Sequence, residues 1–489
     1  VQAFDLEAIG SRLVVGRVAD ELVRALGTAG AAAVVQAPPG SGKTTLVPPL
    51  VANLTAARAD GAGRLPRVVV TQPRRVAVRA AARHLAALDG TAIGERVGYS
   101  VRGERKVGSR TLVEFVTPGV LLRRLLADPA LEGTGAVILD EVHERGLETD
   151  LALGMLGDVR ALRGDLTLVA MSATLDARRF AALLADDDGN PAPVIDSPAA
   201  LHQLDVVWAP SPVPRLDERG VTRAFLEHVA GTAADEHSRL IEAGHDVDAL
   251  VFLPGVREVR MVADRLRARR DGVRRDVLEL HGQAPAAEQD SAVGGRRRGD
   301  PPRIVVSTSL AESSLTVPGV RLVVDSGLAR EPRRDAGRGM TGLVTVSCSR
   351  ASAEQRAGRA ARQGPGRVVR CYDERSYASA PPQSPPEIAT SDLTEAALFL
   401  ACWGARGGRG VALPDAPPPS ALDDALRTLE DLGAITEEGR PTDLGHTLAR
   451  IPADPRLGRA LLEGTPLVGA KVAAEAVALV ARDLRPPGA

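Results

Sequence analysis

Lysine is scarce in this chain: of 61 basic residues all but Lys43, Lys106 and Lys471 are arginine. Lys43 stands in Ala37-Pro38-Pro39-Gly40-Ser41-Gly42-Lys43-Thr44-Thr45, after the apolar run Ala31 to Val35 and before an apolar stretch that opens at Leu46. Strand, small-residue turn and helix in that order make the setting of a phosphate-binding loop. Pro39, Gly40, Ser41 and Gly42 turn the backbone so that successive N–H groups face a polyphosphate at the helix N-terminus. Lys43 is then placed for the β- and γ-phosphates, the Thr44 hydroxyl for Mg²⁺, and Thr45 continues the first helical turn. The first glycine of the usual pattern is Ala37. A plain Gly/Pro-rich surface turn is the competing reading, but an arginine-rich chain that keeps a lysine here favours a point-charge ammonium on phosphate.

Two further clusters follow apolar strands. Ala136 to Leu139 runs into Asp140-Glu141-Val142-His143-Glu144-Arg145. An Asp at the end of a strand downstream of a phosphate loop is the second holder of Mg²⁺. Glu141 beside it is placed as general base for an attacking water and as a further Mg²⁺ neighbour. His143 then becomes a candidate for linking this site to its surroundings. Ser172-Ala173-Thr174 follows the next strand and by itself reads as a bland turn. Likewise Arg356, Arg359 and Arg362, far downstream, read alone as a solvated helix face.

The elements that must position these groups are legible as strands at Ala32 to Gln36, Arg67 to Thr71, Leu112 to Val116, Ala136 to Leu139 and Leu166 to Met171, each followed by a helical stretch. Continuous apolar strands alternating with helices indicate a parallel sheet covered on both faces, with ligands at the strand carboxyl ends. A Pro/Asp-rich stretch from Asp186 to Pro214 interrupts the series. A second series follows, with strands near Asp248 to Leu253, Arg303 to Ser307, Arg321 to Asp325 and Arg367 to Cys371. Ser379 to Pro386 is another Pro-rich link, and the remainder reads as helical.

With 489 residues the chain is too long for one core. No apolar run approaches the ~20 residues of a membrane helix. Three cysteines, Cys348, Cys371 and Cys402, lack metal-ligand spacing and point to a reducing, cytoplasmic setting. A formal charge of −1 neither favours nor excludes nucleic acid, because backbone N–H groups can hold phosphate without net charge. Val1 in place of Met points to a trimmed start.

In order, these motifs resemble those of the DEAH-box helicases of superfamily two. The phosphate loop is motif I, and DEVHER at 140–145 and SAT at 172–174 are motifs II and III. Thr71-Gln72-Pro73-Arg74-Arg75 is similar to motif Ia and Thr117-Pro118-Gly119-Val120-Leu121-Leu122 to motif Ib. Val251 to Gly255 resembles motif IV, Ser307 to Thr316 motif V, and Gln355-Arg356-Ala357-Gly358-Arg359-Ala360-Ala361-Arg362 motif VI. Within the family the likeness is to the bacterial HrpB type, from Ala-Pro-Pro-Gly in the loop, Ala401-Cys402-Trp403-Gly404 and the prolines at 417 to 419.

The resemblance implies an α/β architecture of two tandem RecA-like lobes with parallel sheets. The expected divisions are 1–197 for the first lobe and 198–378 for the second, with a β-hairpin about 330–345. A winged-helix domain at 379–452 and the start of a helical bundle at 453–489 would follow. ATP would lie between the lobes, with Gln355 positioning water and Arg359 and Arg362 acting as arginine fingers. Ser172 and Thr174 would couple nucleotide to movement. Single-stranded RNA, with DNA open as an alternative, would cross Arg74, Arg75, Thr117, Gly119, Thr308 and Ser309 without sequence preference. Arg83 is the candidate for one side of a base clamp; residues 282 to 303 hold no aromatic for the other side, which implies weak base selectivity.

The expected protein is a cytoplasmic monomer that hydrolyses ATP with Mg²⁺ and moves 3′ to 5′ on RNA. Two alternatives remain open at this point: an RNA or ribonucleoprotein remodeller without processive unwinding, and a P-loop ATPase acting on protein. The chain stops at Ala489, short of a complete bundle, which implies a truncated or abbreviated form.

Overall fold

The computed structural model describes residues 4–10, 13–59, 65–173, 176–186, 188–197, 202–312, 315, 317–335 and 340–481. Eight strands form the first sheet: β1 (Ala32–Gln36), β2 (Arg67–Thr71), β3 (Val97–Val101), β4 (Glu104–Lys106), β5 (Val113–Val116), β6 (Thr134–Leu139), β7 (Thr167–Ser172) and β8 (Val194–Asp196). Their spatial order is β4-β3-β5-β2-β6-β7-β1-β8, parallel except for β4 against β3. The central strands are mainly Val, Ile, Leu and Ala and are buried along nearly their whole length, as a sheet covered on both sides requires.

Side-chain alternation divides that burial between two faces. Val69, Val137, Leu139, Leu168 and Ala170 pack toward helices Pro118–Ala127 and Leu147–Leu162. Val68, Val70, Ile138, Val169 and Met171 pack toward Lys43–Arg58 and Arg75–Leu88. Each buried aliphatic contributes ~1.5–3 kcal/mol relative to exposure, so the sheet centre fixes the strand ends where the polar motifs emerge.

The second sheet contains β9 (Leu204–Trp208), β12 (Asp248–Phe252), β13 (Asp276–Leu280), β14 (Arg303–Ser307), β15 (Val320–Asp325) and β18 (Gly366–Arg370). All its pairings are parallel, in the order β13-β14-β12-β15-β18-β9. A two-stranded ribbon, β10 (Leu216–Asp217) and β11 (Gly220–Val221), lies outside it. The expected hairpin is β16 (Leu328–Asp335) against β17 (Met340–Ser347), in register from Leu328–Ser347 to Asp335–Met340. Its tip falls outside the described residues.

The carboxyl-terminal region is helical. Thr394–Cys402 inserts Ala396, Phe399 and Leu400 into the core of the first lobe, so this region shares a hydrophobic cluster with that lobe. Helices Pro419–Asp431 and Asp443–Arg450, joined through an isolated bridge between Ile435 and Pro441, pack around Leu429 and Leu448. Pro455–Val468 and Ala470–Ala481 follow. Among the described residues no helix is long and apolar enough to cross a membrane.

Candidate nucleotide cleft and nucleic-acid face

The phosphate loop joins β1 to helix Lys43–Arg58. Gly40 and Gly42 have φ of +84° and +92°, a region that residues with a Cβ enter only under strain. Behind the loop, Asp140 ends β6 and Glu141 begins a 3-10 turn over Val142–Glu144. Lys43 Nζ lies 3.3 Å from Glu141 Oε1, and Thr44 Oγ1 donates to Asp140 Oδ2 at 2.6 Å. Gln72 Nε2, from the end of β2, donates to the same Asp140 oxygen. Asp140 Oδ1 accepts the Glu141 N–H at 2.8 Å.

Burial, followed by the neighbouring Glu141 charge, pushes the Asp140 carboxyl up to about 7 against Lys43 and Thr44. Burial also acts against ionised Glu141, but Lys43 and then His143 outweigh it and hold that carboxyl below its usual range. The two adjacent carboxyls therefore differ in character, and Glu141 is the one kept ionised. Burial pushes His143 below its ordinary value. Its Nδ1 accepts the Ala173 N–H at 3.2 Å, which leaves the neutral ring's proton on Nε2. That nitrogen faces Glu141 Oε2 at 3.4 Å without hydrogen-bond alignment. His143 thus joins Glu141 to the backbone after β7, between Ser172 and Thr174; Thr174 itself falls outside the described residues.

The second lobe closes onto this cluster. The Arg362 side chain lies against Gly40: a Cβ added there would sit 3.1 Å from Arg362 Cδ. Burial lowers the Arg362 guanidinium to about 10 while Glu141 supports its charge, so it stays protonated at neutral pH. Arg359 donates from Nε to the Glu312 carbonyl at 2.9 Å and from Nη1 to the Leu315 carbonyl. Burial, then Arg362, holds it well below the usual arginine range, with Glu141 again favouring the charge. Both arginines are therefore brought to the lobe seam on the Glu141 side.

Other anticipated residues divide into two groups. Arg74, Arg75, Thr308 and Ser309 line one groove of about 490 Å³ between the lobes. Arg74 and Ser309 also border a second cavity of about 210 Å³, whose wall carries His143, Glu312, Arg330 and Gln355. Arg74 and Ser309 are thus shared by the two spaces, and His143 and Gln355 line the second. Arg74 Nη1 is paired with Glu144 Oε1 at 3.1 Å, and Arg75 Nη2 donates to the Arg102 carbonyl at 2.9 Å.

Thr117 and Gly119 lie outside both spaces. Gly119 is buried against Glu148: an added Cβ would lie 2.4 Å from Glu148 Oε1. Arg83 stands at the outer seam, ion-paired with Asp290 of the second lobe, where an aromatic partner was sought.

Family comparisons agree with this arrangement. Residues 18–183 match the DEAD/DEAH box helicase family, 233–364 the helicase conserved C-terminal domain, and 425–453 the winged-helix helicase associated domain (HA2). The chain belongs to the DEAD/DEAH-box helicases. It is 36% identical over 473 residues to the ATP-dependent RNA helicase HrpB of Escherichia coli (strain K12), covering 96% of this chain and 55% of that protein. A crystal structure of Escherichia coli DEAH/RHA helicase HrpB matches with a TM-score of 0.83 at 35% identity, over 97% of this chain and 57% of the other. A structure of E. coli DExH-box NTPase HrpB matches with a TM-score of 0.78 at 35% identity, over 97% and 55% respectively. The chain therefore spans a little over half the length of these relatives, and the two lobes are RecA-like.

Three contributors to this DEAD/DEAH-box site escaped the sequence reading. Gln72 tethers Asp140, and its signal was its place directly after a buried strand. Arg356 is no solvated residue: it is 1% exposed, with Nε 2.8 Å from Glu312 Oε2 and Nη1 2.8 Å from Asp325 Oδ1. Asp325 also accepts from the Tyr372 hydroxyl at 3.0 Å. This buried network ties helix Arg350–Gly358, which leads into Arg359 and Arg362, to β15. Arg145 is the third, and no local pattern marks its partners.

Proposed function

We propose that this chain is the motor portion of an ATP-dependent RNA helicase that couples hydrolysis to 3′-to-5′ movement along single-stranded RNA. The observation that carries the reading is the seat of Arg362, from the second lobe, on Gly40 of the first lobe's phosphate loop. Phosphoryl transfer depends on positioning and charge neutralisation, and a site divided between two lobes makes hydrolysis depend on their closure. The E. coli relative named as an ATP-dependent RNA helicase supports RNA as the substrate.

In this reading Lys43 and the loop N–H groups bind the β- and γ-phosphates. Glu141 accepts the proton of the attacking water, with His143 and Lys43 fixing the carboxylate. Arg359 and Arg362 stabilise charge on the transferred group, and Gln355 orients the water. Mg²⁺ fits beside Thr44 and Asp140: both offer hard oxygen donors, and Asp140 is a buried carboxyl beside a second carboxylate that a cation would keep ionised. When bound it neutralises phosphate charge; Glu141 stands in its outer surroundings.

RNA would lie on the groove of Arg74, Arg75, Thr308 and Ser309, held through sugar and phosphate and weakened by salt. The protein would act as a cytoplasmic monomer, divided at about 197, 378 and 452. Hydrolysis stimulated by single-stranded RNA tests the reading, and displacement of a 3′-tailed duplex tests unwinding. Stimulation without displacement would replace helicase by remodeller, whereas hydrolysis indifferent to RNA would refute both.

A further inference from the structure

The turn that bears Glu141 and His143 is bounded by two of the three non-glycine residues with positive φ among those described, Glu141 at +56° and Arg145 at +55°. Such backbone persists only where its surroundings over-determine it. Here the surroundings come from Asp150 of the first lobe and from the carboxyl-terminal region. Arg145 is 9% exposed, and its Nε and Nη2 contact Asp150 at 3.2 and 2.9 Å. The same Nη2 reaches Asp415, which is also held by Arg179. On the backbone side, the Arg145 carbonyl accepts the Glu387 N–H at 3.1 Å, and Glu387 Oε2 accepts the Leu147 N–H at 2.8 Å.

We propose that Arg145 is a positioning residue, and that Asp415 and Glu387 make it a latch through which the carboxyl-terminal region sets the hydrolytic turn. Only Val142 to Glu144 separate Arg145 from Glu141, in a single 3-10 turn. A rotation at Arg145 therefore displaces His143 and Glu141 relative to Lys43. The carboxyl-terminal helix Thr394–Cys402 is set into the first lobe's core, so the latch rides with the lobe that holds the nucleotide loop. The route by which events at the distal domain reach hydrolysis is thus the Asp415–Arg145 contact, in addition to lobe closure. This inference rests on the ATPase reading above.

The test is Asp415→Ala in the whole chain, with steady-state ATP hydrolysis and melting temperature measured together. Asp415 touches no residue of the nucleotide cluster, so KM for ATP should be unchanged while kcat falls about tenfold, the size of one lost charge-assisted hydrogen bond. Asp415→Glu should restore most of kcat. In an Arg145→Lys background, which keeps the charge and loses the fork, Asp415→Ala should add less than twofold.

Trp403→Phe is the control: it removes the 2.8 Å Trp403–Asp158 bond at the same interface but away from the turn, and should leave kcat intact. Wild-type kcat in Asp415→Ala overturns the latch. So does an equal fall in Trp403→Phe, since general loosening would then explain both. Absence of hydrolysis in the wild type would instead refute the ATPase reading itself.

Discussion

Glu141→Gln is the most informative single change, because the geometry constrains what an amide can do there. Glu141 presents one oxygen to Lys43 Nζ at 3.3 Å and the other to His143 Nε2 at 3.4 Å. Lys43 offers only donors, and His143 Nε2 carries the ring proton because Nδ1 accepts from Ala173. Only the Lys43 contact is an aligned hydrogen bond; a glutamine can keep an oxygen on Lys43 but offers it no negative charge. The variant without nucleotide should lose about 1–3 kcal/mol of stability, the range for a charge-assisted hydrogen bond whose buried ammonium loses its charged partner. Mg·ATP should recover more of that loss than in the wild type, since phosphate oxygens give Lys43 its missing partner.

Removal of the general base should lower kcat by about 10²–10⁴, equal to about 3–5 kcal/mol of barrier. Nucleotide affinity should be kept or raised. The assays are phosphate release, binding of a fluorescent ATP analogue, and melting with and without Mg·ATP. Hydrolysis above about a tenth of the wild-type rate would remove Glu141 from the base role. An unchanged melting temperature in the nucleotide-free variant would refute a stabilising Lys43–Glu141 ion pair.

Three further outcomes follow from the same geometry. Arg362→Ala and Arg359→Ala should each lower kcat by about 10³ or more with a smaller change in ATP affinity; a loss under tenfold in phosphate release would refute the finger assignment. Arg356→Ala should destabilise the second lobe by about 3–5 kcal/mol, because it strands the buried Asp325 and Glu312 carboxylates; denaturant unfolding would show it.

The third concerns pH. Glu395, 2.7 Å from Arg123, has its carboxyl pushed up to about 7 by burial, with Glu148 and Asp454 adding to it against Arg123. A carboxyl raised in the folded state stabilises most at low pH and loses that contribution as pH rises through the folded value. Melting temperature should therefore fall between pH 5 and 8 more in the wild type than in Glu395→Gln. The slope should be shallow, since this side chain is 38% exposed; parallel curves would refute it.

What was legible in the sequence follows burial. β1, β2, β6 and β7 are sheet-centre strands carried by apolar runs, and β5 keeps its pattern around the buried Glu114; all are legible. β4, β8, β9 and β13 lie at sheet edges, where one side needs no apolar cover, and were missed. β3, VGYSV, is buried but breaks its apolar run with Gly and Ser. The site divides in the same way. Lys43, Thr44, Asp140 and Glu141 act on one another through short segments after strands, so local order revealed them. The contacts of Arg145 with Asp415, Arg356 with Asp325 and Gly119 with Glu148 join distant segments through side chains that are common in an arginine-rich chain. Composition makes each of these arginines look solvated, and only packing shows which are buried.

The central proposal is that a nucleotide site split between two lobes hydrolyses ATP in a way that RNA stimulates. The most direct measurement is the rate of ATP hydrolysis by the intact chain, with and without single-stranded RNA, at low salt, with Glu141→Gln as the background control. The expected result is a slow basal rate, a marked rise with RNA that higher salt diminishes, and hydrolysis at least about a hundredfold slower in the control. A rate equal with and without RNA at low salt would contradict it.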